Sequence, residues 1–273
     1  MAASTQKEKE TSMRVRIEVK NLQYSIDGIK IIESVSLSVR NNHTVGIIGP
    51  NGSGKTTLLK HLYRALPVAP KTVYIDGQEI EKYSYMDTAK RVTVVKQENS
   101  SDFDFTVMGM VLLGRSPYRR CFESFSKEDR EIAHSALASI GMLSYAERSF
   151  NSLSGGEKQR VLIARSLAQQ ADIYILDEPT NHLDIHYQWN LMDLIKKTGA
   201  TVLGVFHEMN LAASYCDELI VLAEGNVVAH GAADEILTSD LLADIFGVRA
   251  EVIKLKNGRP HIIIHGQVQS NNG

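Results

Sequence analysis

Gly49, Pro50, Asn51, Gly52, Ser53, Gly54, Lys55, Thr56 and Thr57 satisfy the pattern G-x-x-x-x-G-K-[ST], and no other segment narrows so far what this chain can fold into. The apolar run 45–48 before it reads as a buried strand, and 58–65 after it reads as a helix, which is the context the pattern requires. Backbone N–H groups converge on phosphate oxygens only where side chains do not intrude, and Gly49, Gly52 and Gly54 leave that room. The helix N-terminus adds its positive end. Lys55 supplies a mobile point charge for the β and γ phosphates of a nucleotide, and the Thr56 hydroxyl suits the octahedral shell of Mg²⁺. A glycine-rich turn without a ligand is the bland alternative, and the full pattern in its context argues against it.

Around this loop, short strands alternate with helices. Residues 14–20 alternate strictly, with Val15, Ile17 and Val19 opposed to Arg14, Arg16, Glu18 and Lys20, as a half-exposed strand does. A turn at Asp27 and Gly28 leads into a second alternating stretch, 31–39. Apolar runs at 92–95, 173–176 and 202–206 read as buried strands, while 157–169 and 187–197 carry helical spacing. Together they predict a parallel sheet covered by helices on both faces. Strand signals vanish between 98 and 150, where Ile132, Ala136, Leu137 and Ile140 recur at helical spacing, so a helical insertion is expected there. After Cys216, alternation returns at 219–222 and 227–229 around a hairpin turn at Gly225 and Asn226. His261 and His265 share a face of an expected C-terminal strand with an exposed edge. Residues 1–13 are expected to be a flexible tail, with Met13 an alternative start, and 267–273 a second tail.

Composition removes whole classes of function. The 273 residues are 43% hydrophobic and 23% charged, which suits one domain with a subdomain or two small domains. A formal net charge of −2 gives no basic field, so phosphate recognition has to be local and nucleic acid is not an expected partner. Cys121 and Cys216 lie far apart in no metal-ligand spacing, and a reducing, cytoplasmic compartment is expected. No stretch approaches the roughly 20 apolar residues that span a bilayer.

Two further motifs carry chemistry. Asp177 and Glu178 follow the apolar run 173–176, at the strand end where open α/β sheets gather ligands. An aspartate there holds Mg²⁺ or its waters, and Glu178 is placed to accept a proton from an attacking water. A solvated acidic turn before Pro179 competes with this reading and is outweighed by the phosphate loop. Leu153, Ser154, Gly155, Gly156 and Glu157 precede a helix, and Ser154 and Glu157 have the spacing of a capping box. A capping box does not demand Gly155 and Gly156, which let backbone approach a ligand and make a second anion site.

With these three motifs in order, the chain resembles an ATP-binding-cassette ATPase, whose signature is LSGGQ or LSGGE, over residues 14–266. The resemblance implies an α/β fold: a phosphate-loop NTPase core with an antiparallel β subdomain and an α-helical subdomain inserted at about 98–165. It implies ATP and Mg²⁺ as ligands and a head-to-tail homodimer. Each ATP would lie between one subunit's phosphate loop and the other's Ser154, Gly155, Gly156 and Glu157. Tyr24 matches the position whose ring stacks on adenine, although an ordinary strand aromatic is also consistent. Gln97 matches the glutamine loop that senses Mg²⁺ and water, and Asn181, His182 and Asp184 match the loop that crosses to the partner site. His207 matches the switch histidine that contacts the γ-phosphate and orients Glu178, here followed by Glu-Met-Asn where relatives often have Asp-Leu-Asn. His182 and His186 are spaced i, i+4, but the crossing-loop reading accounts for His182 without a metal.

Segments 105–117 and 245–253 look like ATPases of iron-siderophore, haem and cobalamin importers. That implies a translocase subunit, peripheral at the cytoplasmic face of the cell membrane, working with polytopic permease subunits and through them with a substrate-binding protein. Met108, Met110, Val111 and Leu112 either line a groove that receives a coupling helix of the permease or form a helix core. A soluble cassette ATPase of iron-sulfur cluster assembly is the alternative function.

Overall fold

A computed structural model describes residues 14–96, 104–120, 123–180 and 183–268; Gln97, Cys121, Asn181, His182 and segment 1–13 lie outside the described residues. In chain order its first half runs β1 (Val15–Ile26), β2 (Ile29–Arg40), β3 (Thr44–Ile48), α1 (Lys55–Leu62), β4 (Val73–Ile75), β5 (Gln78–Glu79), α2 (Tyr85–Arg91), β6 (Val92–Lys96), α3 (Val107–Leu112) and α4 (Lys127–Ser139). There follow α5 (Gly155–Gln169), β7 (Ile173–Asp177), α6 (Ile185–Lys197), β8 (Thr201–Val205), α7 (Met209–Tyr215), β9 (Glu218–Ala223), β10 (Asn226–Gly231), α8 (Ala233–Ile236), α9 (Ser239–Phe246), β11 (Val248–Lys254) and β12 (Pro260–Gln267). They form two units, 80–200 and the remainder.

In the unit made of 14–79 and 201–268, β1 and β2 close through Asp27 (φ 51°) and Gly28 (φ 81°). Two left-handed residues in succession match the right-handed strand twist, so the expected turn forms where the sequence puts it. The alternation of β1 buries Ile17 and Val19 while β2 buries Ile32, Val35, Leu37 and Val39. Across the sheet the order is β5-β4-β1-β2-β10-β9-β3-β8. The β1 side is antiparallel, whereas β3 runs parallel to both β8 and β9. Central β3 is buried at every residue after Thr44, as a strand covered on both faces must be. The β9–β10 turn is Glu224 (φ 47°) and Gly225 (φ 73°), one residue earlier than expected, because Asn226 already pairs with Ala223. A separate hairpin of β11 and β12 is tied to α7 by Asn210, which donates to Ile262 O at 3.1 Å and accepts from Ile262 N at 2.8 Å.

The unit 80–200 joins parallel β6 and β7 to the helices α2 to α6. The expected helix at 127–140 is α4, begun by a capping box in which Ser126 accepts from Asp129 N and the Asp129 carboxylate accepts from Ser126 N. In α3, Val107, Met110, Val111 and Leu112 are buried and contribute to a helix core, while Met108 is half-buried. Beyond it, buried Arg115 donates to Asp129 Oδ1 (2.9 Å), Ala168 O (2.9 Å) and Gln170 Oε1 (3.0 Å), which satisfies carbonyls at the end of α5. Burial alone would raise the Asp129 carboxyl. Hydrogen bonds from Arg115 and Ser126 outweigh it and hold the group below the usual carboxylate range.

Candidate nucleotide site

The phosphate loop is pinned by backbone contact. A Cβ added at Gly49 would lie 2.0 Å from Leu222 O on β9, and one at Gly54 (φ 98°) would lie 2.8 Å from Ile31 O on β2. Both positions therefore require glycine for approach, before any ligand is considered. Gly225 braces the loop, donating from its N–H to Ser53 O at 3.2 Å while its carbonyl accepts from Glu33 N at 3.0 Å. The sequence reads Gly225 only as a turn residue; its second role arises from strand order, which no local pattern reports.

Within this cradle Lys55 is 6% exposed, and its ammonium donates to Gly49 O (2.8 Å) and Pro50 O (2.7 Å). Its charge thus sits over the loop. Leu58 N closes the first turn of α1 onto Gly54 O at 2.9 Å, and that turn holds no acidic residue to compete with an anion. Ser53 Oγ is buried with no hydrogen-bond partner among the described residues, a condition that costs about 1–3 kcal/mol unless something bonds it.

Other expected residues of this unit lie close by. Val205 pairs with Ile47, and Phe206 N donates to Ile47 O at 3.1 Å, so exposed His207 leaves β8 at the carboxyl end of β3, where Gly49 begins the loop. Tyr24, on β1, is half-buried and packs its ring against His61 of α1, which ties it to the helix that the loop opens. Asn51 and Gly52 are exposed at the loop tip, and Thr56 and Thr57 are half-buried in the first turn of α1.

In the unit 80–200, Asp177 ends β7 opposite Lys96, and the half-buried Glu178 that follows adopts φ 52°, a left-handed conformation costly for a side chain with a Cβ. Gln159 of α5, 4% exposed, donates to Pro179 O at 3.1 Å and so holds the turn just after Glu178. Sequence reasoning missed this residue. Its one signal is an amide at a helix position whose neighbours Val161, Leu162 and Ile163 are core.

Ser154 caps α5 in a capping box, with Ser154 N and Oγ donating to Glu157 Oε2 at 2.8 and 2.7 Å. These bonds hold the Glu157 carboxyl below its usual range. Among the described residues a Cβ at Gly155 would meet nothing within 4 Å, so no close contact there requires glycine. Asp184 caps α6, its Oδ1 accepting from Tyr187 N at 3.1 Å. Gln97 and His182 lie outside the described residues.

Comparison with known proteins fits this geometry. Residues 32–181 match the family described as ABC transporter. The chain belongs to that family. It is 38% identical over 248 residues to the ferric enterobactin transport ATP-binding protein FepC of Escherichia coli (strain K12), covering 89% of this chain and 91% of that protein. It is 37% identical over 240 residues to the cobalamin import ATP-binding protein BtuD of Halobacterium salinarum (strain ATCC 29341 / DSM 671 / R1), covering 86% of this chain and 60% of that one. It is 36% identical over 230 residues to the hemin import ATP-binding protein HmuV of Rhodococcus jostii (strain RHA1), covering 83% and 78%. Among solved structures, an inward-facing ABC transporter assigned to the metal-chelate type has a chain that superimposes with a TM-score of 0.77 at 26% identity, over 92% of this chain and 98% of that one.

As an ABC-family ATPase the chain binds ATP, and its own residues fit the triphosphate: a side-chain-free cradle, a buried ammonium and a buried hydroxyl lacking a partner among the described residues. The Thr56 hydroxyl and the Asp177 carboxylate are hard oxygen donors of the kind that Mg²⁺ selects.

Proposed function

We propose that this ABC ATPase powers a membrane importer of iron-siderophore, haem or cobalamin-type substrates. The observation that carries the ATP chemistry is the pinned phosphate loop with Lys55 over it and the Ser53 hydroxyl buried within it. What extends it to import is likeness over most of the chain to relatives whose names describe ferric enterobactin transport and hemin and cobalamin import.

In this reading the loop N–H groups and Lys55 hold the phosphates of ATP, and Tyr24 stacks on adenine. Thr56, Asp177 and Gln97 would hold Mg²⁺, which when bound neutralises charge on the β and γ oxygens. Glu178 accepts the proton of the attacking water, and His207 orients Glu178. Ser154, Gly155, Gly156 and Glu157, with Asp184, serve the ATP of a second copy in a head-to-tail homodimer. Among the described residues no helix is long and apolar enough to cross a membrane, so attachment at the cytoplasmic face would come from permease subunits, which in turn meet a substrate-binding protein.

Affinity purification of the chain from detergent-solubilised native membranes, followed by mass spectrometry, tests the import reading. A polytopic partner is expected; recovery with soluble scaffold proteins alone would overturn it. The dimer has its own test. Ser154→Arg should spare ATP binding by the monomer yet prevent ATP-driven dimerisation in light scattering. Because that change also removes a helix cap, Gly155→Leu provides the control: its Cβ meets nothing within 4 Å among the described residues, and the Ser154 cap is kept. It should give the same result, and ATP-driven dimers of Gly155→Leu would remove this helix start from the partner's site.

A further inference from the structure

One turn beyond the phosphate loop, His61 is 1% exposed on α1. Its Nδ1 lies 2.8 Å from Thr57 O. A carbonyl only accepts, so Nδ1 carries the proton and donates, which fixes both the tautomer and the ring orientation. Burial pushes the His61 pKa down, and the opposing effect of the Thr57 carbonyl does not restore it, so the imidazole is neutral at pH 7. The fixed ring meets the Tyr24 ring in a T-shaped arrangement, with centroids 4.7 Å apart and planes at 74°. Tyr24 itself is a half-buried residue of β1 opposite Ile32, and a strand tyrosine with an open side has more than one staggered rotamer within reach.

We propose that His61 is a positioning residue for the nucleotide base: it holds the Tyr24 ring in one orientation and, through Thr57, registers that ring against the phosphate loop. The inference rests on the reading of Tyr24 as the adenine platform. It explains why a histidine occupies a buried site on α1 otherwise built from Leu58, Leu59 and Leu62. An aliphatic side chain at that place would pack, but it would neither bond Thr57 nor present a ring to Tyr24.

The test titrates the purified chain by calorimetry with ATP and, separately, with inorganic tripolyphosphate, which has no base. His61→Ala should raise the ATP Kd about fivefold, the scale of a lost aromatic pair, and leave the tripolyphosphate Kd within about twofold. His61→Phe keeps a ring at the site and should recover most of the ATP affinity. In a Tyr24→Ala background, His61→Ala should cost nothing more, since the two act as one.

Equal weakening toward ATP and tripolyphosphate would overturn the inference, because it would mark a general prop for α1. Unchanged ATP affinity of His61→Ala, or an additive loss in the double variant, would overturn it too. Tyr24→Ala separates the two layers. If it leaves ATP affinity intact, the adenine reading fails and takes this inference with it; if it weakens ATP while His61→Ala does not, only the positioning role of His61 fails.

Discussion

Glu178→Gln should leave ATP affinity unchanged while lowering turnover by about 10²–10⁴-fold, the usual contribution of a positioned general base. The amide has the shape of the carboxylate but no basic oxygen for the water proton. Glu178 follows Asp177 at the end of β7, and its φ of 52° turns the side chain out of the line of the strand. Glutamine inherits that backbone, so the Tm should hold. With hydrolysis stopped, the variant should accumulate as an ATP-loaded dimer in light scattering. Unchanged phosphate release would sink the base assignment. A companion variant separates chemistry from strain. Glu178→Gly removes a left-handed penalty of about 1–2 kcal/mol, offset in part by the chain entropy of glycine. It should therefore be inactive without being less stable, the pattern of a site that holds strain for function.

The parts legible in the sequence are those written in local order. Alternation reveals β1 and β2 because each buries one face, and the run 173–176 reveals β7 because both of its faces are covered. The phosphate loop is legible because its glycines, lysine and hydroxyl residues are consecutive. What stayed hidden depends on contacts between distant segments. Gly225 reads as a hairpin turn until the strand order sets it against Ser53 and Glu33. His61 reads as a polar interruption of an apolar helix until Tyr24, 37 positions earlier in the chain, lies beside it. Nothing local in the sequence singles out Arg115, which Asp129, Ala168 and Gln170 enclose. The methionine stripe of α3 shows the converse: periodicity marks an apolar face but does not say whether that face meets its own core or a partner, and burial places Met110, Val111 and Leu112 in the core while Met108 stays half-buried.

Lys55→Ala should abolish ATP binding in the range that the native chain needs, by about 2–5 kcal/mol or ~30- to ~5,000-fold in Kd, as truncating one member of a buried charge pair does. Lys55 is almost wholly buried, so its ammonium has left water already and rests on Gly49 O and Pro50 O. That arrangement matters for the size of the effect. A surface lysine would lose much of its attraction to solvent screening, whereas one held over a narrow backbone cradle acts through protein and contributes far more. The cradle itself is set by Gly49 against Leu222 O and Gly54 against Ile31 O, neither of which involves the lysine. The loop should therefore persist in Lys55→Ala, and a residual, weak affinity for tripolyphosphate through the N–H groups should remain measurable. Lys55→Arg is the sharper probe. Its charge is retained, but a planar guanidinium needs more room than a compact ammonium beside Gly49 O, so restored ATP affinity would mean that charge alone matters and a loss would mean that the ammonium geometry does. Normal ATP affinity in Lys55→Ala would refute the phosphate role outright and leave the lysine as a clasp for the loop.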